Sequence, residues 1–303
     1  MNDVTIIILT FRREHLVEKT ILSCVNQRNI LDLKFEIVVV DNSPDKSAET
    51  IVSRLAKKHI TPITYVSEPR QNISLARNAG IVHSNAQFIV FIDDDEQASQ
   101  DWLDHLVRTQ RKYDADAVFG PTTPIFENGA SPRWDPNALF YTRNLNTPTG
   151  TPVLHGYTCN VLYRYEGCLS EKQPFEPEFG LTGGGDLDIS LRLSKMGRRF
   201  VWCSEARVTE IIPENRSTIR YILRRSLRGG QTFVWCSVRN SDRPVPTASY
   251  WMLVGLAQIG VWLIPGLILA PFETRFSVTA KSKLAQGVGK VFWTKYFRIR
   301  IYK

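Results

Sequence analysis

The chain has 303 residues, with 38 Lys and Arg against 30 Asp and Glu for a net charge of +8, and 43% of it is apolar and 22% charged. That is the composition of one large folded domain or two smaller ones, and it excludes disordered, collagen-like and coiled-coil chains. The charge is unevenly spread: residues 1–206 carry 22 basic and 26 acidic side chains, a balance of −4, while residues 207–303 carry 16 and 4, a balance of +12. An acidic body with a basic end suits a polyanion or an anionic membrane surface as the partner of that end. Cys24, Cys159, Cys168, Cys203 and Cys236 form no Cys-x-x-Cys pair, and their odd number reads as thiols in a reducing compartment rather than a disulfide framework. Met1-Asn2-Asp3 offers no basic stretch ahead of an apolar one, so it does not read as a signal peptide, and the body is expected in the cytoplasm.

The Ile-rich run Val4 to Thr10 is too short to span a membrane and suits a strand buried on both faces. A helical pattern follows, and the unit repeats. Strands are expected at Phe35 to Val40, Ile63 to Val66 and Gln87 to Ile92, with helices at Ser47 to His59, Ser74 to Ser84 and Ser99 to Tyr113. Alternating strands and helices imply crossover units and a parallel sheet covered by helices, so residues 1 to about 120 read as an α/β nucleotide-binding half. From Gly120 to Leu154 six prolines interrupt any regular pattern, the mark of a long functional loop. Tyr157 to Tyr163 reads as a strand and Asp186 to Met196 as a helix.

Ligands of a parallel sheet gather at the carboxyl ends of its strands. Two of those ends are acidic, Asp41-Asn42-Ser43-Pro44-Asp45 and Asp93-Asp94-Asp95-Glu96. Four consecutive carboxylates repel one another, and a divalent cation such as Mg²⁺ or Mn²⁺, shared with phosphate oxygens, would neutralise them; capping of the next helix is the competing reading. Downstream, Gly183-Gly184-Gly185-Asp186-Leu187-Asp188 places two more carboxylates behind a glycine run. Either one suits a base that takes a proton from an incoming hydroxyl, and a glycine turn with Asp186 as N-cap is the competing reading. No glycine run fits the dinucleotide or P-loop patterns, which argues against hydride transfer and Walker-type ATPases.

Five features in order, VTIIILTFRR, VVVDNSPD, NISLARNAG, FIDDDE and GGGDLDISLRL, resemble family 2 inverting glycosyltransferases with the GT-A fold over roughly residues 4–230. The nearest likeness is to bacterial exopolysaccharide enzymes of the succinoglycan type. The resemblance implies an α/β GT-A catalytic domain at 1–230, comprising a nucleotide-binding half 1–120 and an acceptor half 121–230, followed by a membrane-associating tail at 231–303. It implies a nucleotide-sugar donor, with a UDP-sugar expected, and a polyprenyl-diphosphate-linked acceptor. Thr10, Arg12, Asp41, Arg77, Asn78, Asp93 and Asp94 are implied at the donor; Asp95 and Asp93, with Glu210, at a Mg²⁺ or Mn²⁺ ion; and Asp186, with Asp188 as rival, as the base. The chain departs from the family pattern at Leu9-Thr10-Phe11-Arg12-Arg13, at Gly185 before Asp186, and at Glu210, where a His is common. His155 reads as loop structure or an acceptor contact.

Trp251 to Phe272 is 22 residues without a charge, flanked by cations on both sides. That length suits a membrane span, but the flanking charges and Pro265-Gly266, expected to break the helix, favour an in-plane or re-entrant segment with both ends cytoplasmic. Lys290 to Lys303 alternates aromatic and basic residues, as an interfacial segment would, and Arg220, Arg224, Arg225 and Arg228 suit lipid phosphates or the acceptor's diphosphate. The expected site is the cytoplasmic face of the cell membrane, alongside other polysaccharide-biosynthesis enzymes. A sugar-nucleotide nucleotidyltransferase lacks support because VTIIILTFRRE has no glycine, and a nucleic-acid-binding protein has no use for the uncharged stretch.

Overall fold

The computed structural model describes residues 2–28, 33–269 and 271–299. Four strands, β1 (Val4–Thr10), β2 (Phe35–Asp41), β3 (Ile63–Ser67) and β4 (Phe88–Asp93), pair in parallel, and α1 (Glu14–Val25), α2 (Glu49–Lys58) and α3 (Ile73–Val82) are their crossovers. After β5 (Glu96–Ala98) come α4 (Trp102–Tyr113), β6 (Ala117–Phe119), β7 (Thr122–Phe126), β8 (Asn160–Arg164) and the short turn α5 (Tyr165–Cys168). The body ends with α6 (Gly185–Lys195), β9 (Phe200–Trp202) and β10 (Val208–Ile212).

Among the described residues the main sheet has the order β3-β2-β1-β4-β8-β6-β9, with β8 antiparallel to both its neighbours. Alternation along β1 explains why apolar residues occupy consecutive positions in it: Val4, Ile6 and Ile8 enter the core beneath α1, α2 and α4, while Ile7 enters the opposite core with Phe91 and Ile189. Gly80 of α3 lets that helix lie on the sheet, since a Cβ there would stand 2.7 Å from the Ile7 side chain.

A second sheet has the order β5-β10-β7, and its strand β7 lies within the stretch expected to be irregular. Pro124 hid β7, yet β7 is an edge strand, where a residue without an N–H is tolerated. The expected helix at Ser99 begins at Trp102, because β5 occupies the preceding residues.

The tail forms three helices, α7 (Ile219–Arg239), α8 (Pro244–Ile268) and α9 (Arg275–Val291). α7 passes residue 230 unbroken and packs on the body: Trp235 stacks on Phe179 with ring centroids 4.0 Å apart, and Arg298 lies 3.3 Å over the Trp235 ring. Val278 of α9 is buried with Phe126, Trp134 and Tyr141. Contrary to expectation α8 continues through Pro265 to Ile268, because a proline so near the end removes only one intrahelical bond. α8 and α9 form a hairpin in which Gly255 and Gly287 allow backbone contact. Residues 300–303 of the expected interfacial segment lie outside the described residues.

Candidate active site

The strand order reverses at β1, with β2 on one side of it and β4 on the other, and Leu9 pairs with Asp93 at the carboxyl ends. Such a reversal opens a crevice between diverging loops. A cavity of about 810 Å³ fills this crevice. Its walls bring together Thr10, Asp93, Asp94, Asp95 and Glu210 with Arg77 and Asp186.

The acidic run is held from both sides. Thr10 Oγ1 donates to Asp94 Oδ2 at 2.9 Å, and Arg13 Nη1 reaches Asp94 Oδ1 and Asp95 Oδ2, each at 3.0 Å. Arg216 Nη1 donates to the same Asp95 oxygen at 3.1 Å. Burial, reinforced by Asp95, pushes the Asp93 carboxyl up to about 7. Burial, partly offset by Arg13, pushes Asp94 up to about 6. Behind Asp93, Glu96 is fully buried, accepts the Asp93 backbone N–H at 3.1 Å, and is held well above the ordinary carboxyl range by burial and by Asp93.

Asp186 enters the cavity from the first turn of α6 because Gly183 and Gly184 adopt positive φ (77° and 104°), a turn that side chains resist. Its Oδ1 pairs with Arg77 Nη1 at 2.8 Å and also accepts from the Thr158 hydroxyl. Arg77 itself is buried with its guanidinium 5.1 Å from the Phe175 ring centre. Two residues on, Asp188 faces away from the cavity. It is 1% exposed and bonds Arg192 Nε at 3.1 Å and Asn240 Nδ2 at 3.0 Å.

Three residues expected at the donor lie outside the cavity lining. Arg12, with φ 54°, turns its side chain to Asp45 at 3.2 Å, and the adjacent Arg13 faces the cavity instead. Asp41 is buried and accepts from the N–H and hydroxyl of Ser43, the Ala48 N–H just before α2 and the Tyr65 hydroxyl, while Asn42 lines the cavity. Asn78 clamps Phe175 through both its backbone N–H and its carbonyl, at 3.0 and 2.7 Å.

Arg143 and Arg216 escaped sequence reasoning because they lie in segments without a repeating pattern, and Tyr157 and Thr158 because the sequence marks them only as the start of a strand, which begins at Asn160. Arg143 Nη1 pairs with Glu210 at 2.7 Å, and the guanidinium stacks 5.4 Å from Tyr157. Burial works against its charge, yet the acidic groups around it, Glu210 foremost by its 2.7 Å pairing, hold its pKa well above normal. The tail contributes Arg225, Arg228 and Phe233 of α7 and Gln286 of α9 to the wall, and His155 lines it too.

The donor chemistry fits a hard divalent cation. Asp93 and Asp95 offer carboxylate oxygens at a charge-crowded strand end. Asp93, Glu96 and Cys159 also bring ligand atoms within 4.8 Å of one another, but burial keeps the Cys159 thiol protonated, which suits Mg²⁺ or Mn²⁺ poorly on that side.

A crevice at a topological switch point, walled by an acidic strand end and an opposed carboxylate, has the form expected of a transferase site. The sequence profile of glycosyl transferase family 2 matches residues 5–168. The chain is 33% identical over 225 residues to the succinoglycan biosynthesis protein ExoM of Rhizobium meliloti (strain 1021), covering 74% of this chain and 72% of that one. It is 31% identical over 102 residues, 32% of this chain and 31% of that one, to the GalNAc(5)-diNAcBac-PP-undecaprenol beta-1,3-glucosyltransferase of Campylobacter jejuni subsp. jejuni serotype O:2. Among solved structures, S. aureus TarS 1-349 in complex with UDP aligns at a TM-score of 0.56 and 12% identity over 95% of this chain and 89% of that one, a likeness of fold. The protein belongs to glycosyl transferase family 2, has the GT-A fold and is a glycosyltransferase.

Proposed function

We propose that the protein transfers a sugar, with inversion, from a UDP-sugar to a polyprenyl-diphosphate-linked acceptor in cell-surface polysaccharide biosynthesis. The observation that carries this reading is the opposition, in one cavity, of Asp186 to the Asp93-Asp94-Asp95 strand end. Asp186 takes the proton of the acceptor hydroxyl as its oxygen attacks the anomeric carbon from the side opposite the leaving nucleoside diphosphate. Arg77 and Thr158 hold that carboxylate in place. Asp93 and Asp95 hold Mg²⁺ or Mn²⁺, which when bound offsets the charge growing on the leaving diphosphate. Thr10, Asp94 and Asn42 shape the donor side, and Glu210 serves Arg143. The name of the ExoM relative supports the polysaccharide pathway, that of the Campylobacter enzyme the lipid-linked acceptor, and the UDP in the TarS structure the donor.

The reading includes attachment to the cytoplasmic face of the membrane through α8, lying in the plane of the bilayer. Among the described residues, α8 is the one helix long and apolar enough to cross, with a mean hydropathy of 1.8 and only 11% of its apolar window buried. It does not travel alone: Gln258 Nε2 bonds the Lys283 carbonyl at 2.6 Å, and Lys290 Nζ bonds Gln258 Oε1 at 2.9 Å. A spanning α8 would draw Lys281, Lys283 and Lys290 of α9 into hydrocarbon at about 3 kcal/mol per central charge. Lying flat, α8 sets Leu253, Leu256, Val261, Ile264 and Leu267 in lipid, beside the cavity wall that α7 builds.

The test is incubation of membranes containing the protein with a panel of nucleotide sugars, followed by analysis of the lipid fraction. A lipid-linked product one sugar longer, formed from a UDP-sugar, is expected. Release of free sugar with no lipid-linked product contradicts the acceptor assignment.

A further inference from the structure

Asp95 is already engaged by two cations. Its Oδ2 accepts from Arg13 at 3.0 Å and from Arg216 at 3.1 Å. The two arginines differ. Arg13 also bonds Asp94 at 3.0 Å, whereas among the described residues Arg216 pairs with no other carboxylate. Arg216 hangs from a fixed point, the end of the 3₁₀ turn Glu214–Arg216 between β10 and α7. There its N–H bonds the Pro213 carbonyl at 2.9 Å, and its own carbonyl accepts the Tyr141 hydroxyl at 3.1 Å. The side chain remains 28% exposed and lines the cavity that holds the acidic run.

A carboxylate oxygen that already accepts from two guanidinium groups is a poor ligand for a third cation, since like charges would gather around one atom. A nucleoside diphosphate entering the same cavity reverses the balance. It brings several negative oxygens, and a guanidinium fork binds two of these better than it binds a single shared carboxylate oxygen. We propose that Arg216 is an exchange residue, closed on Asp95 in the donor-free enzyme and turned onto the donor's diphosphate when a divalent cation takes the Asp95 oxygen. This inference rests on the proposed metal-dependent use of a UDP-sugar. Its consequence is positive coupling between cation and nucleotide: each binds weakly alone and tightly with the other. Recapture of Arg216 by Asp95 then favours departure of the nucleoside diphosphate after transfer.

Arg216→Met gives the exchange a distinctive sign. Removing the guanidinium leaves Asp95 with Arg13 as its one remaining cation among the described residues but takes a contact from the diphosphate, so two affinities move in opposite directions. The experiment titrates Mn²⁺ into the wild type, Arg216→Met and Arg216→Lys by electron paramagnetic resonance, and then titrates UDP calorimetrically at saturating Mn²⁺. Arg216→Met is expected to bind Mn²⁺ alone more tightly than the wild type, by about 5-fold or more, and UDP more weakly by a similar factor, within the ordinary range of coupling between sites. Arg216→Lys keeps the charge and loses the fork, so Mn²⁺ binding stays near wild type while UDP binding weakens. Unchanged or weakened Mn²⁺ binding in a folded Arg216→Met protein overturns the exchange. It leaves the proposed function standing if the wild type binds UDP with Mn²⁺. A wild type that binds no UDP at saturating Mn²⁺ overturns both. Should Arg216→Met fail to fold, Arg216→Lys decides: weakened UDP binding supports the exchange, and unchanged UDP binding overturns it.

Discussion

Arg77 Nη1 lies 2.8 Å from Asp186 Oδ1, joining the helix after β3 to the helix after the glycine run across 109 residues of chain. The Arg77 side chain is buried, so its fork is fixed and the Asp186 carboxylate takes its orientation from it. Lysine lacks the fork and would leave that carboxylate free to rotate. Arg77→Lys should lower kcat by about 10²-fold, the usual cost of a misplacement near 1 Å, with a much smaller change in donor KM. Steady-state kinetics with the donor varied check this split; an equal rise in KM with kcat intact contradicts it.

Asp188 invites a different substitution result. Its carboxylate ties Arg192 and Asn240 behind α6, out of the cavity. Asp188→Asn should therefore lower stability by about 1–3 kcal/mol, through the loss of a buried charge-assisted bond, while turnover per folded molecule changes little. Thermal denaturation and turnover, measured on the same preparation, separate the two.

The exposed face of α8 predicts a partition effect. Leu256 and Val261 are 53% and 65% exposed, and burying each in lipid contributes roughly 1.5–3 kcal/mol. Replacing both with Glu should release the protein from anionic vesicles by about 100-fold or more, as read by sedimentation. Because neither residue lines the cavity, UDP binding should persist.

The five cysteines are all buried, and burial pushes the Cys24 and Cys168 thiols up to about 12. The thiolate is the reactive form, so the native protein should resist alkylation at pH 8 and react at all five positions once unfolded. For Cys24 and Cys168 the folded pKa stands above the ordinary value of 9, so their contribution to stability is complete below about pH 9 and is lost as pH rises toward 12. Thiol labelling with and without denaturant, and melting curves across that window, test both statements.

What the sequence reveals here is local. The runs at β1, β2 and β4 announce strands buried on both faces, and the acidic strand end and the glycine run announce Asp93, Asp95 and Asp186 because each motif spans a few adjacent residues. The rest of the cavity lining is set where one backbone angle or one long-range contact decides. A left-handed Arg12 turns its side chain to Asp45 and leaves Arg13 on the cavity wall, and Asp41 binds the Ala48 N–H while Asn42 lines the cavity. Arg143 and Arg216 reach the site from the Pro-rich segment and the β10–α7 turn, through contacts 47 to 121 residues apart in the chain. The basic end, read as an anchor, also forms part of the wall: Arg225, Arg228 and Gln286 line the same cavity as Asp186.

The central claim is that Asp186 is the base. The most direct measurement is single-turnover transfer by Asp186→Asn at saturating donor and acceptor, with folding checked by its melting curve and donor binding by calorimetry. The account predicts a loss of transfer of at least about 10²-fold, the lower end of general-base contributions, with folding and donor binding retained. Transfer at the wild-type rate by the folded variant would contradict it.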